Sequence, residues 1–377
     1  MTRAIPITAV HVFALAVACS RPTAPPQQTA TPAGPASEAG ATGRTVAAAE
    51  ALLATLDAGG RGKLELAFDA EQRAKWSNFP VGIYPRSGVR WGDLSATQRA
   101  AALNLLAAAL SKPGLEKVQQ IMEGDEVLKR AEAGHDRGPI GGGPPGGGAP
   151  RDGRPGGMES PNFGRDEYYL ALLGTPSVTQ PWMIQFGGHH LAINVTIVGA
   201  RSVLTPSLPA AQPAVYELDG QAVRPLGREN DRSFALINAL DAAQQSKAIL
   251  PYQVSDLVLG PGEDGKTIQP EGIKASELSA AQQRMLLDLA HEWVGILNDE
   301  AAAAKMAEIA ANLPQTWFAW SGPTTNGSTA YFRIQGPTLV IEYSPQRARG
   351  GSGLDLGHIH TVYRDPTNDY GARLVPR

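Results

Sequence analysis

The chain contains the segment Trp182-Met183-Ile184-Gln185-Phe186-Gly187-Gly188-His189-His190-Leu191-Ala192-Ile193-Asn194-Val195-Thr196-Ile197. Its two apolar runs flank a glycine pair, and the run from Leu191 to Ile197 alternates with a period of two. This pattern predicts a β-hairpin with Gly187-Gly188 as its turn. A second hairpin is predicted at Tyr331 to Ile334 and Leu339 to Tyr343, with Gln335-Gly336-Pro337 as its turn.

The second hairpin belongs to a set of segments that repeat earlier parts of the chain. Gly88 to Gln98 recurs as Gly272 to Gln282, Asp69 to Lys75 as Asp241 to Lys247, and Gly188 to Ile193 as Gly336 to Ile341. Ser95 and Ser279 stand at matching places, where each hydroxyl can cap the leucine-rich helix that follows. Three matches in the same order predict an internal duplication.

These patterns predict an α+β fold with two diverged helix-plus-β-hairpin repeats, residues 46–210 and 211–377. We expect antiparallel sheets flanked by helices and related by a pseudo-twofold axis, and the two hairpins could pair into one sheet. Residues 134–164 are rich in glycine and proline and are predicted to be a disordered insertion in the first repeat. Its glycines formally fit a dinucleotide-binding pattern, but no strand precedes them and prolines interrupt them.

The N-terminus is typical of an exported protein. Arg3 precedes the nearly uncharged stretch from Ala4 to Ala18, and Cys19 follows small residues, so residues 1–19 are predicted to be a signal peptide. Cys19 could be lipidated and attach the protein to a membrane; an ordinary cleaved signal and an uncleaved anchor are the alternatives. Residues 20–45 are rich in Pro, Ala and Thr and are predicted to be a disordered linker. We expect a cell-envelope lipoprotein or a secreted or periplasmic protein.

Charge and cysteine content exclude some classes of function. The 377 residues include 33 basic and 36 acidic side chains, a formal charge of -3, and no basic tract stands out. We therefore expect no nucleic-acid partner. Cys19 is the only cysteine, so neither an intramolecular disulfide nor a paired-cysteine metal site can form.

Four histidines, all of them candidate metal ligands, form two tight groups, His189-His190 at the first hairpin and His358-Ile359-His360 near the C-terminus. Imidazole commonly binds zinc or copper, and a His-x-His pair on a strand directs both rings to one side. If the strand extends that far, alternation places His190 with Asn194 and Thr196 on a polar face. Glu342 matches Asn194 in the second repeat. A site of His190, His358 and His360, with Glu342 as a further group, could leave one metal position for water.

Other interpretations remain open for these residues. The histidines could line a metal-free polar or catalytic pocket, or they could be purely structural. Arg364 could bind an anionic substrate or a carboxylate such as Asp369, and Asp365 begins a turn-forming segment.

The leading hypothesis is a metal-dependent hydrolytic enzyme with Arg364, Asp365 and Glu342 as catalytic candidates. The alternatives are a non-catalytic protein that binds metal or ligand, or a structural envelope component. The partner would be a small molecule or an envelope component.

The two histidine motifs, together with Gln335 to Glu342 and Arg364 to Gly371, resemble the uncharacterised bacterial domain-of-unknown-function 3500 family. The similarity runs from about Thr45 to Gly371. It implies frequent export, but it implies no activity. The long Gly/Pro insertion and Gly187 depart from the family pattern, which tends to have a polar residue before Gly-His-His.

Overall fold

The computed structural model describes residue 1 and residues 40–135, 162–347 and 354–375. The predicted signal peptide after residue 1, with Cys19, lies outside the described residues, and so does most of the predicted linker. Residues 136–161 of the predicted insertion also lie outside them. Two predicted boundaries differ from the structure. The first helix begins at Ala41, inside the predicted linker, and the helix before the insertion extends to His135.

The α+β prediction is confirmed, because helices and mainly antiparallel sheets make up the described chain. The helices in chain order are α1 Ala41–Ala54, α2 Ala58–Leu64, α3 Ala70–Ala74, α4 Ala96–Ala109, α5 Lys112–His135, α6 Gly227–Asn238, α7 Ala242–Ala248, α8 Ala280–Val294 and α9 Asp299–Ala311. None of the helices within the described residues is long and apolar enough to cross a membrane.

The predicted serine caps are both present. Ser95 accepts from the backbone N–H of Gln98 at the start of α4, and the Gln98 side chain accepts from the Ser95 N–H in return. Ser279 and Gln282 form the same reciprocal pair at the start of α8. Such a capping box satisfies two backbone donors that a helix otherwise leaves unpaired.

The first sheet has seven strands. They are β1 Glu65–Leu66, β2 Val89–Arg90, β3 Tyr169–Leu173, β4 Trp182–Gly188, β5 Leu191–Val198, β6 Arg201–Val203 and β7 Leu208–Pro209. The order is β1-β3-β4-β5-β6, with β2 beside β3 and β7 beside β5. β1 runs parallel to β3, and the other pairs are antiparallel. A separate short pair consists of β8 Tyr216–Leu218 and β9 Gln221–Val223.

The second sheet has five strands in the order β10-β11-β12-β13-β14. They are β10 Ile273–Lys274, β11 Trp317–Ser321, β12 Tyr331–Gly336, β13 Leu339–Arg347 and β14 Leu354–Arg364. The two predicted hairpins are β4–β5 and β12–β13, and they lie in different sheets. The expectation that they pair into one sheet is therefore wrong, because β5 and β13 each pair with further strands of their own sheet. The duplication and its pseudo-twofold axis stay predictions.

A short segment after β6 connects the two sheets. On one side β7 pairs with β5. On the other side Ser207 exchanges backbone hydrogen bonds with Tyr363 at 2.9 and 2.8 Å, and Ala211 does so with Ile359 at 2.9 and 3.0 Å. Because these bonds fix the backbone of β14 beside the end of the first hairpin, they determine which side chains of the two sheets meet.

Helices and sheets share one large apolar core. Trp182, Trp293 and Trp320 are among its largest fully buried side chains. The Trp293 Nε1 donates to Thr361 Oγ1 at 2.9 Å, so α8 is fixed directly to β14. A buried tryptophan that also satisfies its N–H orients the elements it joins. Ile359 and Tyr363 of β14 are buried in this core, which fixes the position of the strand.

Candidate metal centre

The turn of the first hairpin is His189-His190 itself, not the predicted Gly187-Gly188. Both glycines are in β4, where Gly187 pairs with Ala192 and Gly188 with Leu191. His190, the second residue of this turn, has a φ of 63°, a left-handed conformation that histidine adopts more readily than most residues. The second turn is shifted in the same way, since Gly336 pairs with Leu339.

The glycines serve close packing instead. A Cβ at Gly188 would lie 2.7 Å from the Tyr168 ring, and one at Gly187 would lie 2.5 Å from the Leu191 carbonyl oxygen. Tyr168 also donates its hydroxyl to the His189 carbonyl at 2.7 Å. Larger residues at 187 or 188 would push the turn away from this support, so the glycines determine where the two histidines lie.

Strand β14 supplies the other two histidines. His360 pairs in register with Ser344 of β13, and His358 precedes it by two residues, so both side chains are on one face. The structure brings them to His190. The His190 and His358 Nε2 atoms are 2.9 Å apart, and so are the His358 and His360 Nε2 atoms. The predicted convergence of three imidazoles is thus present.

Three ring nitrogens at this spacing do not satisfy one another. A ring nitrogen of a neutral imidazole has either one proton or one lone pair, so His358 Nε2 can form one good hydrogen bond but has two nitrogen neighbours. A cation among the three lone pairs removes this conflict. Nitrogen ligands of tetrahedral zinc, about 2.0–2.1 Å from the ion, are about 3.3 Å apart. Small side-chain rotations would therefore accommodate an ion.

The protonation state favours metal binding. Burial lowers the pKa of His190 well below its ordinary value of 6.5, and the imidazoles of His189, His360 and His358 lower it further. Burial also lowers the pKa of His360 well below 6.5, with added contributions from His358 and His189. Both rings are consequently neutral at pH 7, the form in which imidazole binds metals.

Asn78 is a part of the centre that sequence reasoning missed. Its backbone carbonyl accepts the His190 N–H at 3.1 Å, and its Nδ2 lies 3.3 Å from His360 Nε2. It therefore contacts histidines from both sheets and helps to hold them together. Asn78 lies in a loop after α3, and no local pattern marks it in the sequence.

Asp125 of α5 is a second residue that sequence reasoning missed. Its Oδ1 is 2.6 Å from His189 Nδ1, and its Oδ2 accepts the Gly164 N–H at 2.8 Å. The His189 ring packs against the His190 ring with centroids 3.6 Å apart. His189 is therefore not one of the three converging ligands; it belongs to a neighbouring group formed by Asp125, His189 and His190.

The expected polar face of β5 is not exposed to solvent. Asn194 and Thr196 are buried on the face opposite Ile193 and Val195, which are also buried. His190 does not share that face as a strand residue, because it lies in the turn. The alternation argument was correct for Leu191 to Ile197 and failed at the strand end.

Glu342 is not part of the histidine cluster. Its Oε1 accepts from the Tyr331 hydroxyl at 2.6 Å and the Val258 N–H at 3.0 Å, and its Oε2 accepts from the Leu259 N–H at 2.8 Å. The fully buried carboxylate thus binds a loop to the second sheet. The prediction that Glu342 lies beside the metal is therefore wrong, because these contacts use both of its oxygens.

Arg364 and Asp365 are also engaged within the protein. Arg364 is 3% exposed and donates to the Leu259 and Gly260 carbonyls and to the carboxylates of Asp264 and Asp369. The predicted contact with Asp369 is present at 2.9 Å, whereas the expected substrate contact is replaced by contacts within the fold. Asp365 accepts from Lys305 and from the Thr367 N–H and hydroxyl, as a turn residue does.

Comparison with known proteins places the chain in a family without revealing a function. A family model described as "Protein of unknown function (DUF3500)" matches residues 38–372, a range that includes all four clustered histidines, Asn78 and Asp125. Comparison with curated proteins and with solved structures finds no match. Since the match extends over most of the chain, the protein belongs to the DUF3500 family of proteins of unknown function.

Proposed function

We propose that this protein binds a transition-metal ion, zinc or copper, through the Nε2 atoms of His190, His358 and His360. The observation that carries the proposal is the convergence of these three atoms, at contacts of 2.9 Å, from a turn in one sheet and a strand in the other. Neutral imidazole is a preferred ligand of both ions. A purely structural role explains the convergence less well, because the three nitrogens cannot all form hydrogen bonds with one another.

We further propose that the centre is hydrolytic. Three protein ligands leave a fourth position of a tetrahedral ion for water, and zinc lowers the pKa of such a water to about 7. His190 is buried, whereas His358 and His360 are partly exposed, so solvent and a small substrate would approach from the β14 side. Asn78 is close enough to His360 to donate a hydrogen bond to a group bound there.

A non-catalytic metal- or ligand-binding protein is the second candidate. One observation favours it: Glu342, Arg364 and Asp365, the expected catalytic residues, all use their polar groups for contacts within the fold. Hydrolysis of a carboxyl ester or phosphate ester by the metal-loaded protein, lost with the metal, would separate the enzyme from the binding protein.

The metal itself is tested by elemental analysis of the purified protein and of a His358→Ala, His360→Ala double variant. His291→Ala is the matched control, because His291 is an exposed histidine on α8 outside the cluster. We expect the control to match the wild type and the double variant to lose about one ion per chain. Metal-free wild type, or a double variant that keeps its full metal content, would contradict the proposal.

We also propose that the protein is exported and attached to a membrane through a lipid on Cys19. The support is the sequence of residues 1–19, with Arg3, an apolar stretch and small residues before the cysteine. Metabolic labelling with a radioactive fatty acid would mark the wild type and leave a Cys19→Ala variant unlabelled. Equal labelling of both, or none in either, would exclude lipidation at this residue.

A further inference from the structure

A second group of ligand atoms lies beside His190. One carboxylate oxygen of Asp125 and one ring nitrogen each of His189 and His190 lie within 4.8 Å of one another. All three side chains are buried, with exposures of 1% for Asp125, 6% for His189 and 2% for His190. Carboxylate and imidazole are ligands of zinc and copper, and buried groups of this kind are usually paired or bound to a metal.

His190 Nδ1 is the atom that points to a further ligand. It is buried and has no hydrogen-bond partner among the described residues. If Nε2 binds the first ion as a neutral imidazole, Nδ1 carries the ring proton. Metal-binding histidines almost always donate that proton to a carbonyl, a carboxylate or water. A buried N–H without an acceptor destabilises the folded state, so this atom needs a partner.

Asp125 does not provide that partner by hydrogen bonding. Its Oδ1 is bonded to His189 Nδ1, and its Oδ2 accepts the Gly164 N–H. The Asp125 carboxylate is therefore hydrogen-bonded to His189 and to Gly164, not to His190. A cation bound by all three residues would replace the hydrogen bond between Asp125 and His189 and would also give His190 Nδ1 a partner.

We propose that Asp125, His189 and His190 form a second transition-metal site, and that the His190 imidazole bridges the two ions. The bridge rests on the proposed function, because it requires an ion at Nε2. When both ions bind, His190 releases its ring proton to solvent, and each nitrogen donates a lone pair to one ion. His189 keeps its single ring proton but carries it on Nε2, which frees Nδ1 and the Asp125 carboxylate for the ion.

Copper binding to the full chain tests the proposal. The protein is loaded with Cu²⁺, separated from unbound copper, and measured by elemental analysis and electron paramagnetic resonance. We expect about two copper ions per chain. We also expect a resonance signal well below that of two isolated Cu²⁺ ions, because a bridging imidazolate couples their unpaired spins.

Asp125→Asn keeps the shape and one acceptor oxygen but removes the negative charge. We expect this variant to bind about one copper ion with the full signal of an isolated Cu²⁺. Glu116→Gln is the matched control, because Glu116 is exposed on the same helix, α5, and should leave both ions in place.

The outcomes separate this inference from the proposed function. Suppose the wild type binds one ion. If Asp125→Asn retains this ion and the His358→Ala, His360→Ala variant loses it, the second site is overturned and the three-histidine site stands. If Asp125→Asn loses the ion and the double variant retains it, the three-histidine site and the bridge are overturned. Two ions with a full, uncoupled signal would overturn the bridge. If Asp125→Asn does not fold, the copper content and signal of the wild type still decide.

Discussion

Replacing Glu342 by glutamine would test whether this carboxylate is structural. Hydrogen bonds to a charged acceptor contribute about 1.5–3 kcal/mol each, against about 0.5–1.5 kcal/mol for neutral ones. The glutamine side chain would keep its carbonyl oxygen toward Tyr331 and Val258 and place its NH₂ group against the Leu259 N–H. The hydrogen bond from Leu259 is then lost, and those from Tyr331 and Val258 are weakened because their acceptor is no longer charged. Easier burial of a neutral group offsets part of this loss. We expect Glu342→Gln to lower the free energy of unfolding by about 2–4 kcal/mol.

Urea unfolding, followed by tryptophan fluorescence, measures that loss, and elemental analysis of the same samples measures bound metal. Glu277→Gln is the control, since Glu277 is an exposed glutamate that pairs with Lys247, and its loss should leave the free energy of unfolding close to that of the wild type. We expect the metal content of Glu342→Gln to equal that of the wild type. Unchanged stability combined with a loss of metal would refute the structural assignment and return Glu342 to the metal site.

Three further predictions concern the metal centre and the core. Zinc at 100 times its dissociation constant should stabilise the wild type by about 2.7 kcal/mol, and His190→Ala should abolish that stabilisation in thermal unfolding. Lys117→Met should cost about 3–5 kcal/mol in urea unfolding, because it leaves Glu229 buried without its partner, and adding Glu229→Gln should restore most of the loss. In metal-free protein the pKa values of His190 and His360 are lowered, so the unfolded chain binds more protons below pH 6.5. Stability should therefore fall with decreasing pH from about 6.5, by up to about 1.4 kcal/mol per pH unit for each histidine, and His360→Gln should reduce the slope.

The fold class was predictable because its signals are local. Strand alternation in Leu191 to Ile197 and the serine caps at 95 and 279 depend on residues within a few positions of one another. The placement of the two hairpins in separate sheets was not predictable in this way. The sheets are joined by backbone bonds between Ser207 and Tyr363 and between Ala211 and Ile359, and such bonds leave no pattern in side-chain type.

The turn of the first hairpin was predicted two residues too early, for a physical reason that the sequence does not show. Glycine is the usual residue where a hairpin needs a positive φ, so Gly187-Gly188 was the natural choice. Here the glycines are needed for another property, the absence of a Cβ next to Tyr168 and Leu191. The positive φ falls to His190, whose backbone is held by Asn78 and Ala210.

This displacement of the turn is also what makes a shared histidine possible. A strand residue directs its side chain to one face, so His190 in β5 would have met either His358 or Asp125, but not both groups. In the turn, its ring lies between them, with Nε2 against His358 and its flat face against His189. The partners come from β14 and from α5, which are distant in sequence, and Asp125 has no neighbouring histidine in the chain that could indicate its role. Sequence spacing could therefore predict the three converging imidazoles, whereas the second group follows only from the conformation of one turn residue.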